Sequence, residues 1–168
     1  MRAFITGISG FVGAELARHL LKNGWEVHGL VRPESKLWRL EDIKKEIALY
    51  FGDIRDKESV SDVLFKTKPD TLFHLAVHGA YPTQKDANVI LDTSILSTFH
   101  LLHAAKAAGV RMFVNAGSSS EYGMKQNGMS ESDICEPYTV HGVTKLAAVL
   151  YGQAIARQCK RCSPGTST

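Results

Sequence analysis

Residues 138–145 read YTVHGVTK and carry the groups of a proton-transfer site. Lys145 has a histidine, His141, four positions before it and a tyrosine, Tyr138, seven positions before it. On a helix, positions i and i+4 share a face about 6 Å apart, so His141 is the ring that neighbours Lys145. Seven helical residues rise about 10.5 Å, and Pro137 directly precedes Tyr138, so the phenol cannot stand in the same place. A nearby ammonium pushes an imidazole below its ordinary pKa of about 6.5, toward a neutral ring that still donates one N–H.

A second stretch, TGISGFVG (6–13), has the residue types that hold phosphate. Its glycines fall at 7, 10 and 13, one residue longer between the first two than the common dinucleotide fingerprint. Glycines tighten the turn and let a pyrophosphate approach the backbone at Gly7 and Gly10. The start of a helix at Phe11, Val12 and Gly13 supplies oriented N–H groups and a positive dipole end. A glycine-rich βα turn without a ligand is the plainer alternative; a place at the first strand–helix junction favours the dinucleotide.

The adenosine ribose of such a ligand reaches the end of the second strand, about 20 residues past the last glycine. An acid there would accept from a 2′-OH, but the strand ends Val31-Arg32. Arg32 is suited to a 2′-phosphate, so NADP(H) is the expected cofactor, and the nearby Glu34 keeps NAD(H) open.

The elements that must position these groups follow from the apolar pattern. Strands are expected at 2–6, 25–31, 46–52, 71–77 and 111–117, each an almost continuous apolar run. Helices are expected over about 12–22, 56–67, 87–108 and 139–158, with Asn23-Gly24 and Gly109 as stop signals. Apolar strands alternating with amphipathic helices describe parallel strands covered on both faces. The expected fold is therefore α/β, a Rossmann-type doubly wound parallel sheet. One nucleotide-binding domain spans 1–158, and 159–168, where periodicity is lost, reads as a disordered tail.

Composition sets outer limits. The chain has 168 residues, 44% hydrophobic and 22% charged, enough for one globular core. A formal charge of +3, spread along the chain, argues against nucleic acid or a membrane surface as partner. No apolar run approaches the roughly 20 residues of a spanning helix. No signal peptide is visible after Met1-Arg2. Cysteines 135, 159 and 162 form an odd, sparse set, which points to a reducing, cytoplasmic compartment. The 159/162 pair has CxxC spacing but no second pair, so free thiols are expected there, and no metal.

TGISGFVG, GDIRD (52–56), HLAV (74–77), DTSILSTFHLLHAA (92–105), NAGSSSEYG (115–123) and the lysine of YTVHGVTK occur in order and at matching spacings. Together they resemble the extended short-chain dehydrogenase/reductases, in particular the NAD(P)-dependent nucleotide-sugar epimerase/dehydratase family, over residues 1 to about 160. The resemblance implies adenine contacts at Asp53 and Ile54 and a nicotinamide side at Leu75 and Ala76. It implies hydride transfer at a sugar carbon of a nucleotide-sugar, with Lys145 holding the nicotinamide ribose and Ser118 bonding the sugar oxygen, beside Ser119 and Ser120. A homodimer is open.

The resemblance also marks departures. The family's proton carrier is a tyrosine four residues before the lysine, whose phenolate the ammonium stabilises; here the position is His141. Its shorter side chain stops short of the sugar oxygen, and a misplacement of about 1 Å can cost 100-fold. His141 is therefore either a substitute proton carrier or, the reading its reach favours, a substitution without a catalytic role. Ser94 stands where the family carries asparagine. A full member also continues for about another domain's length, so the substrate-binding lobe is expected to be absent from this chain. Three readings follow: the cofactor domain of an epimerase, dehydratase or 4-ketoreductase; a non-catalytic dinucleotide-binding module; or a decayed, truncated copy.

Overall fold

The computed structural model describes residues 1–79, 83–84 and 86–162, with side chains to 158. Five strands, β1 (Arg2–Thr6), β2 (Glu26–Val31), β3 (Ile47–Phe51), β4 (Thr71–His74) and β5 (Met112–Asn115), form one sheet in the order β3-β2-β1-β4-β5. Every pairing is parallel, with Ala3 opposite Val27 on one side and Thr71 on the other. The chain thus starts in the centre, winds outward to β3, returns across β1 to β4, and continues to β5. The expected doubly wound sheet is what forms, and the crossing from β3 back to β4 makes a switch point beside β1.

The unbroken apolar run of β1 is a consequence of its central place. Ala3 and Ile5 face one core with Val27, Val31, Ile47 and helix α1 (Phe11–Lys22), which contributes Ala14, Ala17 and Leu20. Phe4 faces the other core with Leu30, Leu72 and Val60 and Leu64 of helix α2 (Lys57–Thr67). A strand that serves two cores has no residue to leave polar, except at its ends. Asp56 caps α2, its carboxylate accepting from the Ser59 N–H at 3.1 Å.

The expected helix over 87–108 is interrupted. It consists of α3 (Ala87–Leu91), a π turn over Asp92–Leu96, and α4 (Ser97–Ala107). The bulge has a local cause: the Ser97 and Thr98 hydroxyls donate back to the Asp92 and Ser94 carbonyls at 2.8 and 2.7 Å. The last helix, α5 (Val140–Cys162), runs four residues beyond the expected end at 158; the rest of the expected tail, 163–168, lies outside the described residues. Thr139 opens α5 by accepting from the Gly142 N–H at 3.0 Å.

Strand β5 is an edge strand with Met112 and Val114 exposed. Beside it, α4 and α5 border an apolar cleft of about 570 Å³ that includes Leu102, Phe113 and Ile155.

Candidate functional site

The carboxyl ends of β1, β2, β3 and β4 open into a groove of about 290 Å³. Gly7, Gly10, Arg32, Asp53, Ile54, Leu75 and Ala76, separated by up to 69 positions in sequence (76 − 7), line this one groove. Phe11 and Val12 form the exposed first turn of α1 beside it, and Gly13 is buried behind. Ser118, His141 and Lys145 are not among the groove's lining residues.

The glycine turn is built for close approach. Gly7 has a φ of +74°, and a Cβ there would sit 2.8 Å from the Ala76 nitrogen. A Cβ on Gly13 would strike the Gly7 carbonyl oxygen and lie 2.7 Å from the Ile8 Cα, so the helix start is pressed against the turn. Gly10 is the N-cap of α1, and no side chain caps the helix. Among the described residues the first-turn N–H groups of α1 therefore have no side-chain acceptor, the condition in which a helix start takes an anion.

At the far end of the groove four charges interlock. Arg55 donates to Asp53 through Nε at 3.0 Å and through its terminal nitrogen at 2.7 Å. That hydrogen-bonded guanidinium holds the Asp53 carboxyl below its ordinary range, with a smaller contribution from Arg32. Arg32 in turn pairs with Glu34 at 3.2 Å, both side chains more than half exposed. Arg55, which the sequence motifs did not single out, thus has the first claim on Asp53. Ile54 is buried in the Phe4 core and reaches the groove with its edge.

The candidate proton-transfer residues gather at the end of β5. Ser118 begins a single 3-10 turn, Ser119–Glu121: its hydroxyl accepts from the Ser120 N–H at 3.2 Å while the buried Glu121 carboxylate accepts from the Ser118 N–H at 2.7 Å. Accepting there leaves the Ser118 O–H hydrogen free to donate. Helix α5 lies directly against this turn because residue 142 is glycine; a Cβ there would strike the Ser120 carbonyl oxygen. Lys145 is buried and its Nζ donates to the Ala116 carbonyl at 2.8 Å. Burial lowers its pKa, and the Glu121 charge opposes that.

His141 is one turn from Lys145, as the spacing required. Burial, then the Lys145 charge, pushes its imidazole down toward the neutral form. The His78 backbone and the Glu121 charge oppose that shift, and Nδ1 is buried without a partner among the described residues. Tyr138 is 67% exposed and stands outside this cluster.

Behind the groove lies a buried histidine whose role the sequence left unread. His74 Nδ1 is 2.7 Å from the Thr6 hydroxyl and Nε2 is 2.9 Å from that of Thr98. Burial, with the Lys145 charge adding to it, pushes its pKa down to about 3. Between about 6.5 and 3 the unfolded chain holds a proton that the folded one does not, so this stability is full above the unfolded pKa and declines as pH falls. Urea unfolding at pH 6.5 and pH 5 is expected to differ by about 2 kcal/mol through this group, and His74→Gln is expected to remove that increment. An unchanged pH slope in the variant would refute it.

Residues 3–164 match the model of the NAD dependent epimerase/dehydratase family. Human GDP-mannose 4,6 dehydratase is 31% identical over 161 residues, covering 87% of this chain and 43% of that protein. UDP-glucuronic acid 4-epimerase from Bacillus cereus, solved in complex with NAD, is 27% identical at a TM-score of 0.81, covering 94% of this chain and 53% of that one. UDP-glucose 4-epimerase from Thermotoga maritima, at 23% identity, shares the fold with a TM-score of 0.85 over 94% of this chain and 52% of its own. The chain therefore spans about half, or less, of the length of these relatives.

Proposed function

The chain belongs to the NAD dependent epimerase/dehydratase family, and on that premise we propose that it is the nicotinamide-binding half of an enzyme acting at a carbon of a nucleotide-linked sugar. The observation that carries this reading is the uncapped start of α1 opening onto a groove lined by Gly7, Gly10, Leu75 and Ala76. A pyrophosphate would lie on the first-turn N–H groups of α1, with adenine beside Ile54 and nicotinamide beside Leu75 and Ala76. The bound nicotinamide supplies the hydride acceptor and donor.

The remaining work falls to the chain's own groups. Lys145, held on the Ala116 carbonyl, would orient the nicotinamide ribose. Ser118, with its O–H free, would donate to the sugar oxygen. His141 would stand in the proton carrier's position with a shorter side chain than the family's tyrosine. That substitution also favours a second reading, a dinucleotide-binding module without chemistry. The sparse, odd cysteine set supports a cytoplasmic location; Cys135 is a free thiol.

NADP(H) rather than NAD(H) is the proposed cofactor, because Arg32 lies on the groove where a 2′-phosphate would reach. Its pair with Glu34 is exposed and worth little, so the phosphate would displace the carboxylate. Separate titrations with NADP⁺ and NAD⁺ test the function and the preference together. Arg32→Ala is expected to weaken NADP⁺ about tenfold and leave NAD⁺ within about twofold. Glu34→Gln is expected to tighten NADP⁺. Equal affinities in the wild type would overturn the preference, and no binding of either would overturn the cofactor reading itself.

A further inference from the structure

The hydrogen bonds around His74 run in one direction. Thr98 Oγ1 donates its only hydrogen to the Ser94 carbonyl at 2.7 Å, so in its contact with His74 Nε2 at 2.9 Å it accepts. Nε2 therefore carries the ring proton, and the other nitrogen of a neutral ring is an acceptor. The Thr6 hydroxyl must then donate to Nδ1 at 2.7 Å, which leaves its oxygen to accept from the Ala76 N–H at 3.3 Å. The result is a single chain of donors from Ala76 through Thr6, His74 and Thr98 to Ser94. Its three side chains are 2% exposed or less, so no water competes, and each hydroxyl that accepts also donates, an arrangement in which bonds reinforce one another.

One end of this chain is at the groove and the other is next to it. Ala76 and Thr6 line the groove, and so does Thr93, the neighbour of Ser94 in the π turn. The same π turn packs against α5, the helix of His141 and Lys145. Isolated π turns occur often at functional sites, and this one has its Ser94 carbonyl held by the far end of the chain.

We infer that His74 is a positioning residue, an Nε2-protonated neutral imidazole that fixes the Ala76 wall of the groove relative to the π turn Asp92–Leu96 and so presents the groove already shaped for its ligand. The inference rests on the dinucleotide reading of the groove. Thr98 is the place to test it, since it is not among the groove's lining residues and its hydroxyl bonds His74 and Ser94.

The first measurement is of the His74 ring nitrogens by long-range ¹H–¹⁵N correlation in the intact chain between pH 5 and 8. The expected spectrum has a protonated Nε2 and an unprotonated Nδ1 throughout; the opposite tautomer, or titration of the ring in this range, overturns the inference. The second compares Thr98→Val with Thr98→Ser, which retains the hydroxyl. Thr98→Val is expected to bind NADP⁺ about tenfold more weakly, and Thr98→Ser to bind like the wild type. A lowered melting temperature in Thr98→Val with wild-type affinity would mean a merely structural role and would overturn the inference. The third is hydrogen exchange at the Ala76 amide, which needs no ligand. Thr98→Val is expected to speed it about tenfold while the β2 amides hold their protection. If the wild type binds no dinucleotide, the cofactor reading falls and exchange at Ala76 decides alone; an unchanged rate there overturns the inference.

Discussion

His141→Tyr is expected to leave the 168-residue chain without turnover of any nucleotide-linked sugar, and to raise turnover about 100- to 10,000-fold in a longer parent protein that contains it. The wild-type chain is itself expected to be inactive, for two independent reasons. His141 is shorter than the tyrosine usual at this position, so the sugar oxygen lacks a well-placed proton carrier. Substrate positioning is the larger deficit. The groove's lining does not include Ser118, His141 or Lys145, so a ligand in it is not held against them. Holding reactants in place can contribute roughly 7–11 kcal/mol, more than acid–base help does. A tyrosine restores the donor and does nothing for position. The assay is the change in NADPH absorbance with a panel of nucleotide-linked sugars. Turnover by the unmodified chain would refute the expectation. Rescue of the short chain by His141→Tyr alone would show that substrate positioning had been overrated.

The second large effect is expected at Gly13. Gly13→Ala should destabilise the chain by roughly 3 kcal/mol and abolish measurable dinucleotide binding, because the atoms in the way are backbone. A Cβ there meets the Gly7 carbonyl oxygen and the Ile8 Cα, neither of which can rotate aside, so the turn and the helix start must separate. Gly24→Ala is the matched control. Gly24 has a φ of +74° and nothing within 4 Å of a Cβ, so its cost is conformational only, about 1 kcal/mol. It is remote from the groove and should leave affinity unchanged. Urea unfolding and a dinucleotide titration on both variants check the pair; equal losses at the two positions would mean that the tight approach at Gly13 is unimportant.

What the sequence by itself determined is mostly local or periodic. The glycines at 7, 10 and 13 announce a strand–turn–helix junction because only certain backbones tolerate that spacing. The apolar runs of β1, β2 and β4 announce parallel strands because a strand covered on both faces has no polar side. His141 as the neighbour of Lys145 is a matter of helical pitch. The capping box of Ser118 and Glu121, with its S-x-x-E spacing, was open to the same reading.

Only the tertiary structure decided which of those groups are free to act. Asp53 is already paired with Arg55, two residues away, because the turn after β3 folds the guanidinium back onto the carboxylate. The Lys145 ammonium is used on the Ala116 carbonyl, 29 positions earlier, which no spacing rule relates to it. His74 looked like one residue of a strand end. Its meaning depends on Thr6 from the adjacent strand and Thr98 from a helix packed behind the sheet, partners that meet only after the chain has crossed back over β1. The π turn in the 87–107 helix was likewise not legible, since helix flanks it on both sides and the hydroxyl bonds of Ser97 and Thr98 that accompany it leave no mark on the apolar pattern. Periodicity reports which face is buried. Which polar atoms meet there depends on the strand order, and β3-β2-β1-β4-β5 is a property of the whole sheet.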